Sequence, residues 1–369
     1  MKNKYILISL VYLCWSVSVS SQFVHPGMLH SISDLDFFKA KVKSGEEPWK
    51  SAFQQLLNSD LADINIRPKP ISNLSCGSYN HPNNGGDEFY NDGNFAYTMA
   101  LLWYATNDKK YAEKSIQIIN AWSYTLDSVT NSNKLLKIGV GGIKYLNAAE
   151  IIKHTYKDWK KKDQKKFEEM ILKKWYEEIK EFKPRYNGNW DAAIGQTILC
   201  IGIYLDRKDI FELAYDHLLK GESLGCINNY FNETGQCQES GRDQGHTQMG
   251  LSYLCNACEV CRNQGYDLYG AYDNKLAKGF EYTAKFMLGY DVPYVKYKTI
   301  FGNYVFGDEI SQSRRGDFNP IYERAYHHYH DRAGLKMLYT RKVIDKIRNE
   351  TISSGYMPWG TLMCAGYPK

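Results

Sequence analysis

Residues 93–106, which contain the run NFAYTMALLWYAT, are apolar almost all the way round a helical wheel. A helix of that kind needs neighbours on every side, so it is buried inside a larger helical assembly. Residues 161–182, KKDQKKFEEMILKKWYEEIKEF, show the opposite pattern: Phe167, Ile171, Trp175 and Ile179 recur at four-residue steps, with charge elsewhere. That is an outer amphipathic helix whose lysines form a solvated face rather than a nucleic-acid patch. The alternation repeats along the chain. Helical periodicity is read over 34–43, 48–58, 110–127, 143–157, 190–205, 208–220, 246–263, 274–289, 320–335 and 340–348. Buried helices alternating with amphipathic ones across short turns predict helical hairpins in a ring. The fold class expected is all-α: an α/α toroid, an incomplete barrel of hairpins in a single domain over 22–369. YVKYKTIFGNYVF at 294–306 is the best strand candidate, a short hairpin within a long loop from 291 to 319.

The first 21 residues read as a signal peptide, with Lys2 and Lys4 before an apolar run that ends in small residues at Ser18, Ser20 and Ser21. Export to the periplasm or the medium is therefore expected, as a monomer or weak dimer, and no later segment is apolar enough to span a bilayer. Cleavage would lower the formal charge from +5 to +3 by removing the two lysines. That charge is too mild for a nucleic-acid binder but suits an anionic ligand held by a few placed cations. With 30 Tyr and 8 Trp the chain is rich in side chains that join an apolar body to a polar tip. Such side chains suit sugar rings, and a tyrosine-rich core accounts for them equally well. Cys226 and Cys237 flank INNYFNETGQ and could close that loop as a disulfide. Cys255, Cys258 and Cys261 read as buried thiols along one helix rather than as half a zinc site.

Three polar clusters interrupt the apolar pattern. In RYNGNWDAA, Asn187 and Asn189 bracket a glycine before Trp190; a turn with a helix cap explains them as well as a site does. In CQESGRDQGHTQM, a helix starting near Glu239 would put Glu239, Arg242 and His246 on one face, with Gln244 between them and Asp243 placed to orient the imidazole. In EISQSRRGDFNPIYERAYHHYHDR, Arg314 and Arg315 sit in a loop as candidate carboxylate forks. His327, His328, His330 and Asp331 follow; they read as a hydrogen-bonded helix face, and no metal or other cofactor is expected.

Asn, His, Tyr and Arg without a well-spaced carboxylate pair fit β-elimination of a uronate better than glycoside hydrolysis. The proton on C5 beside the sugar carboxylate must leave, and neutralising that carboxylate stabilises the enolate-like charge that develops. A histidine or an ionised tyrosine takes the proton and a tyrosine hydroxyl protonates the departing O4. A tyrosine with a pKa of about 10 needs cationic neighbours to serve as the base.

NGNWDAA, GQCQESGRDQGHTQMGL, NQGYDLYGAYDNKLAKGFEYTAKFMLGYDVP and NPIYERAYHHYH resemble the alginate-lyase-domain polysaccharide lyases, as does the opening FVHPGMLHSISDLDFFKAKV. Within them the chain is most similar to the alginate and glucuronan lyases of polysaccharide lyase family thirty-eight. The resemblance covers nearly all of the chain after residue 21. It implies an α/α toroid and metal-independent cleavage of a 1,4-linked polyuronate, alginate first and glucuronan as the alternative. A glycoside hydrolase or a non-catalytic binder on the same toroid are more distant readings. By motif, Asn187 corresponds to the carboxylate neutraliser and His246 to the base for guluronate. Tyr297 is the expected acid, and both acid and base for mannuronate; Tyr304 and Tyr322 are its rivals. Arg242 and Arg315 correspond to partners of the carboxylate or tyrosine, and Asn189, Trp190, Glu239, Gln244 and Arg314 to substrate contacts. Related alginate lyases of another family carry an Asn-Asn-His run where this chain has YNGNW.

Overall fold

The computed structural model describes residues 22–182, 187–297, 306–353 and 355–366. Two helices, α1 (Ile32–Ser44) and α2 (Trp49–Leu57), open the chain. Ser31 starts α1 with a reciprocal cap in which its hydroxyl accepts from the Asp34 amide and Asp34 accepts from the Ser31 amide. The strands β1 (Asn73–Cys76), β2 (Asn83–Asn84) and β3 (Ser128–Thr130) form a small sheet in the order β2-β1-β3. Here β1 is antiparallel to β2 and parallel to β3.

The body is a succession of hairpins. Helices α3 (Gly86–Thr106) and α4 (Lys109–Thr125) are followed by α5 (Lys134–Thr155) and α6 (Lys161–Met170), which runs through a wider π turn over Ile171–Tyr176 into α7 (Glu177–Ile179). Next come α8 (Gly188–Tyr204), α9 (Lys208–Lys220), the short α10 (Ile227–Tyr230), α11 (Gln244–Asn263) and α12 (Ala271–Met287). Helix α13 (Tyr322–Tyr326) continues as a π turn over His327–Arg332, and α14 (Leu338–Ile347) and α15 (Gly360–Cys364) end the chain.

Helices α3, α5, α8 and α11 pack in that order and are buried along most of their length. They are the inner circle, and α4, α9 and α12 back α3, α8 and α11 from outside. Close approach between inner helices is built in: a Cβ at Gly139 would lie 2.7 Å from the Ala193 backbone, so α5 and α8 touch there along their main chains. Along α6, the π turn and α7, Phe167, Ile171, Trp175 and Ile179 point inward as their four-residue spacing requires. The ring closes near the chain's ends, where α15 packs on α2 and α13 and the Trp359 indole donates to Thr98 of α3 at 2.9 Å.

The all-α toroid and the alternation of buried and amphipathic helices are as the sequence predicts. The small sheet is an addition. No Cys226–Cys237 disulfide forms: Cys226 donates to the His217 carbonyl and Cys237 contacts Ser240 and Thr247. Cys255, Cys258 and Cys261 are buried free thiols, as read from the sequence. Residues 291–297 and 306 carry no strand, and 298–305, with Tyr304, lie outside the described residues, as does the segment 1–21. No described helix is long and apolar enough to cross a membrane.

Candidate active site

In a ring of hairpins every inner helix runs the same way, so all inner N-termini reach one face. The first turns of α3, α5, α8 and α11 meet there around a cleft. One lobe, of about 600 Å³, is lined by Tyr79, Asn133, Leu136, Asn187, Trp190, Arg242 and His246 among others. A second lobe of about 220 Å³ shares Asn133 and Leu136 with it and continues to Lys137, Tyr90, Asp87, Met249 and Tyr253. The dipoles of these helices turn their positive ends toward the floor, which favours an anion.

Helix α8 begins at Gly188 because nothing larger fits: a Cβ there would meet the Tyr230 ring at 2.3 Å. The Gly188 amide donates to Gln238 at 2.7 Å, which fixes Asn187 at the cap position, half-buried and facing the first lobe. Helix α11 begins at Gln244, two residues before the periodic run read at 246–263 and five after the possible start at Glu239, with Asp243 as its cap. One oxygen of Asp243 accepts the His246 amide at 2.8 Å and the other accepts the His246 ring Nδ1 at 2.5 Å. Asp243 therefore sets the start of the helix and the tautomer of the ring together, leaving Nε2 as the nitrogen without the proton, on a ring that lines the first lobe. Burial pushes the Asp243 carboxyl up, but the His246 hydrogen bonds and the charges of His246 and Arg242 outweigh it and hold the carboxyl below its usual value. Arg242 lines the same lobe, with its guanidinium 3.4 Å from Glu239 and 3.8 Å from Asp243.

The structure thus brings Asn187, Trp190, Arg242 and His246 together. It places the other sequence candidates elsewhere. Glu239 is fully buried behind Arg242, with its carboxyl pushed up by burial, and does not reach the cleft. Asn189, the second residue of α8, is also buried. The side chain of Gln244 is spent on the carbonyls of Ser240 and Ser311, and the buried Tyr322 hydroxyl on Gln248. Arg315 lies over the Phe286 ring and donates to the carbonyls of Phe286 and Tyr290, so it fastens the loop to the end of α12. Arg314 is exposed beside Asp317 and comes close to Gly245 in the first turn of α11. Tyr297 is half-buried with its hydroxyl 3.5 Å from the Asn229 carbonyl, and it is not among the described residues lining the cleft. Burial first, then Cys237 and Glu239, push its phenol up, so it keeps its proton at neutral pH.

Several cleft residues were not singled out from the sequence. Tyr79, almost fully exposed, stands at the rim on the turn after β1. The Lys137 ammonium, 3.9 Å over the Tyr90 ring, supplies a cation to the second lobe. Met249 and Tyr253 continue the His246 face of α11 at i+3 and i+7, a periodicity that could have found them.

Two carboxylates reach the described cleft, Asp243 engaged with His246 in the first turn of α11 and Asp87 in the second lobe, and Arg242 and Lys137 are its cations. Comparison with known proteins agrees with this geometry. No curated protein matches the chain. The crystal structure of an alginate lyase from Bacteroides ovatus superposes with a TM-score of 0.68 at 14% identity, covering 93% of this chain and 100% of that one. Alginate lyase A1-III from Sphingomonas species A1 gives 0.64 at 13% identity over 93% and 97% of the two chains. A variant of A1-III complexed with a tetrasaccharide gives 0.66 at 14% identity over 95% and 96%. At these identities the likeness is one of fold. The alginate lyase family model itself matches residues 77–291, which hold every residue that lines the first lobe and all but Cys76 and Gly355 of the second, and the chain belongs to that family of polysaccharide lyases.

Proposed function

We propose that the protein cleaves a 1,4-linked polyuronate, alginate first, by β-elimination, leaving a 4,5-unsaturated uronate at the new non-reducing end. The observation that carries this is the Asp243–His246 pair in a cleft ringed by inner-helix N-termini. The sugar carboxylate sits against Arg242, the Asn187 amide and the helix starts, so the charge that develops on deprotonation falls on groups already oriented to receive it. The His246 Nε2 takes the C5 proton while Asp243 stabilises the imidazolium that forms. The C5–H electrons form the C4–C5 double bond, the C4–O4 bond breaks, and a tyrosine hydroxyl protonates O4.

The resemblance of its motif makes Tyr297 the proposed acid: its phenol stays protonated, and its hydroxyl leaves the Asn229 carbonyl for O4 when substrate binds. Burial and the neighbouring Glu239 work against its use as a base, which favours anti elimination through His246 over a tyrosine-only route. Trp190 and Tyr79 offer faces for sugar rings on either side of the scissile bond.

Ultraviolet absorbance of the new double bond tests the proposal with polymannuronate, polyguluronate, glucuronan and a neutral glucan. A rise with a uronate polymer and none with the glucan is expected, and the polymer that responds names the substrate. Folded protein that gives no rise with any of the three overturns it. His246→Ala should abolish turnover and Tyr297→Phe should lower it at least tenfold; full activity in Tyr297→Phe would move the acid role to Tyr253, which lines the second lobe.

A further inference from the structure

The end of α5 remote from the cleft holds a second cluster. Glu150 and His154 lie four residues apart on one face of the helix. His25 joins them from the segment before α1, which is tied down by Val24 donating to Gln264 at 2.9 Å and Leu29 donating to Asn147 at 3.0 Å. His25 Nδ1 is 2.7 Å from one Glu150 oxygen, and His154 Nε2 is 3.7 Å from the other. The two imidazoles stack with centroids 4.4 Å apart and planes 10° from parallel. One donor atom from each residue falls within 4.8 Å of the other two.

A His25–Glu150 hydrogen bond accounts for only part of this. The Glu150 side chain is 2% exposed, and its Oε2 has no hydrogen-bond partner. A buried carboxylate oxygen left in that state is costly. The nearby ammonium does not serve it, because Lys153 is committed to Glu168 and the Tyr204 carbonyl. The second imidazole points a nitrogen at that oxygen from a distance too long for a hydrogen bond but suitable for a shared ion.

We propose that His25, Glu150 and His154 bind a divalent first-row metal ion, zinc by donor set, which pins the segment before α1 to the inner helix α5. Two imidazoles and a carboxylate are a usual zinc triad that leaves one position for water. Bonds of about 2.0–2.1 Å place such ligand atoms about 3.3 Å apart, so the rings need to shift by about 1 Å. Leu136 in the cleft and Glu150 are fourteen residues apart on α5, or about 20 Å. The ion therefore acts on the fold and not on the sugar.

The test uses untagged protein, since a histidine tag binds zinc, freed of metal by chelator and titrated with zinc by calorimetry and by thermal melting. One zinc per chain is expected, with a rise in Tm. His154→Ala, at a partly exposed position, should fold normally by circular dichroism, keep its lyase activity and bind zinc at least 100-fold more weakly. Glu150→Gln should do the same to zinc binding. Absence of stoichiometric binding by the native chain overturns the proposal. So does equal binding by both variants, which would place the ion elsewhere, for example at His327, His330 and Asp331.

Discussion

Asp243 performs two tasks that a substitution separates. Asparagine caps helices about as well as aspartate, so Asp243→Asn should leave the start of α11 and the Tm nearly unchanged. The amide carries no charge to stabilise the imidazolium and no longer fixes the ring tautomer. The rate should fall on the order of 10²–10⁴-fold, the usual contribution of a general base, with KM changed little. A parallel loss of Tm and rate would mean that capping was the residue's main task. Asp191, buried in the first turn of α8, gives a prediction about pH. Burial raises its carboxyl from 3.8 to about 7, against the opposing hydrogen bonds from Ser223 and the Gly225 amide. The folded state therefore holds the proton more tightly than the unfolded state. Its contribution to stability is full in acid, declines as pH rises from about 4 to about 7, and is gone above. Asp191→Asn removes that titration. The stability of the variant relative to the native chain should climb between pH 4.5 and pH 8, by up to about 3 kcal/mol, in urea unfolding followed at both pH values. Parallel pH profiles would show that Asp191 ionises normally.

At the scale of elements, the same residue type does different work according to which helix end it meets. Lys137 and Arg315 make the contrast testable. Lys137→Met removes the cation of the second lobe while keeping the chain length over Tyr90. KM for a polymer should rise severalfold, with kcat changed much less. Arg315→Ala frees the carbonyls of Phe286 and Tyr290 at the end of α12, so a stability loss of about 1–3 kcal/mol is expected with KM and kcat near those of the native protein. Loss of kcat without loss of stability in Arg315→Ala would restore the catalytic role that its motif implied. The helices themselves were legible because a 3.6-residue apolar period persists over ten or more residues, as in Phe167 to Ile179. The sheet was not, because strands of two to four residues such as Asn83–Asn84 are too short to show an alternation. Within the site, His246 and Arg242 were legible because they share the start of a helix, and Asn187 because it precedes one. Gln244, Tyr322 and Arg315 look identical to them in sequence. Only the fold shows that their polar groups satisfy Ser311, Gln248 and the end of α12 instead. Tyr79 and Lys137 reach the cleft from segments more than 100 residues from His246, which no local pattern reports.

The whole ring is held shut by a charge cluster on the last inner helix. Glu259 of α11 is buried and accepts from Arg332 at 2.9 and 3.2 Å and from the Tyr269 hydroxyl at 2.8 Å. Arg332 also lies 3.9 Å from Asp34 of α1, so one guanidinium links the first helix of the chain to α11 across the seam. Burial alone would raise the Glu259 carboxyl; Arg332, Arg324 and Arg262 overcome it and bring it down to about 2. A depressed carboxyl stabilises the fold above its usual pKa of 4.5 and loses that contribution as pH falls toward 2. Glu259→Gln keeps the shape but leaves Arg332 buried without its counter-charge. Breaking a buried pair from one side costs about 3–5 kcal/mol, so the variant should unfold at distinctly lower urea concentration at pH 7. The deficit should narrow as the pH is lowered through 4.5 toward 2, because the native chain then loses the same charge. A deficit that is constant across that range would assign it to lost hydrogen bonds, and no deficit at all would mean that the seam is closed by apolar packing of α15 against α2 and α13.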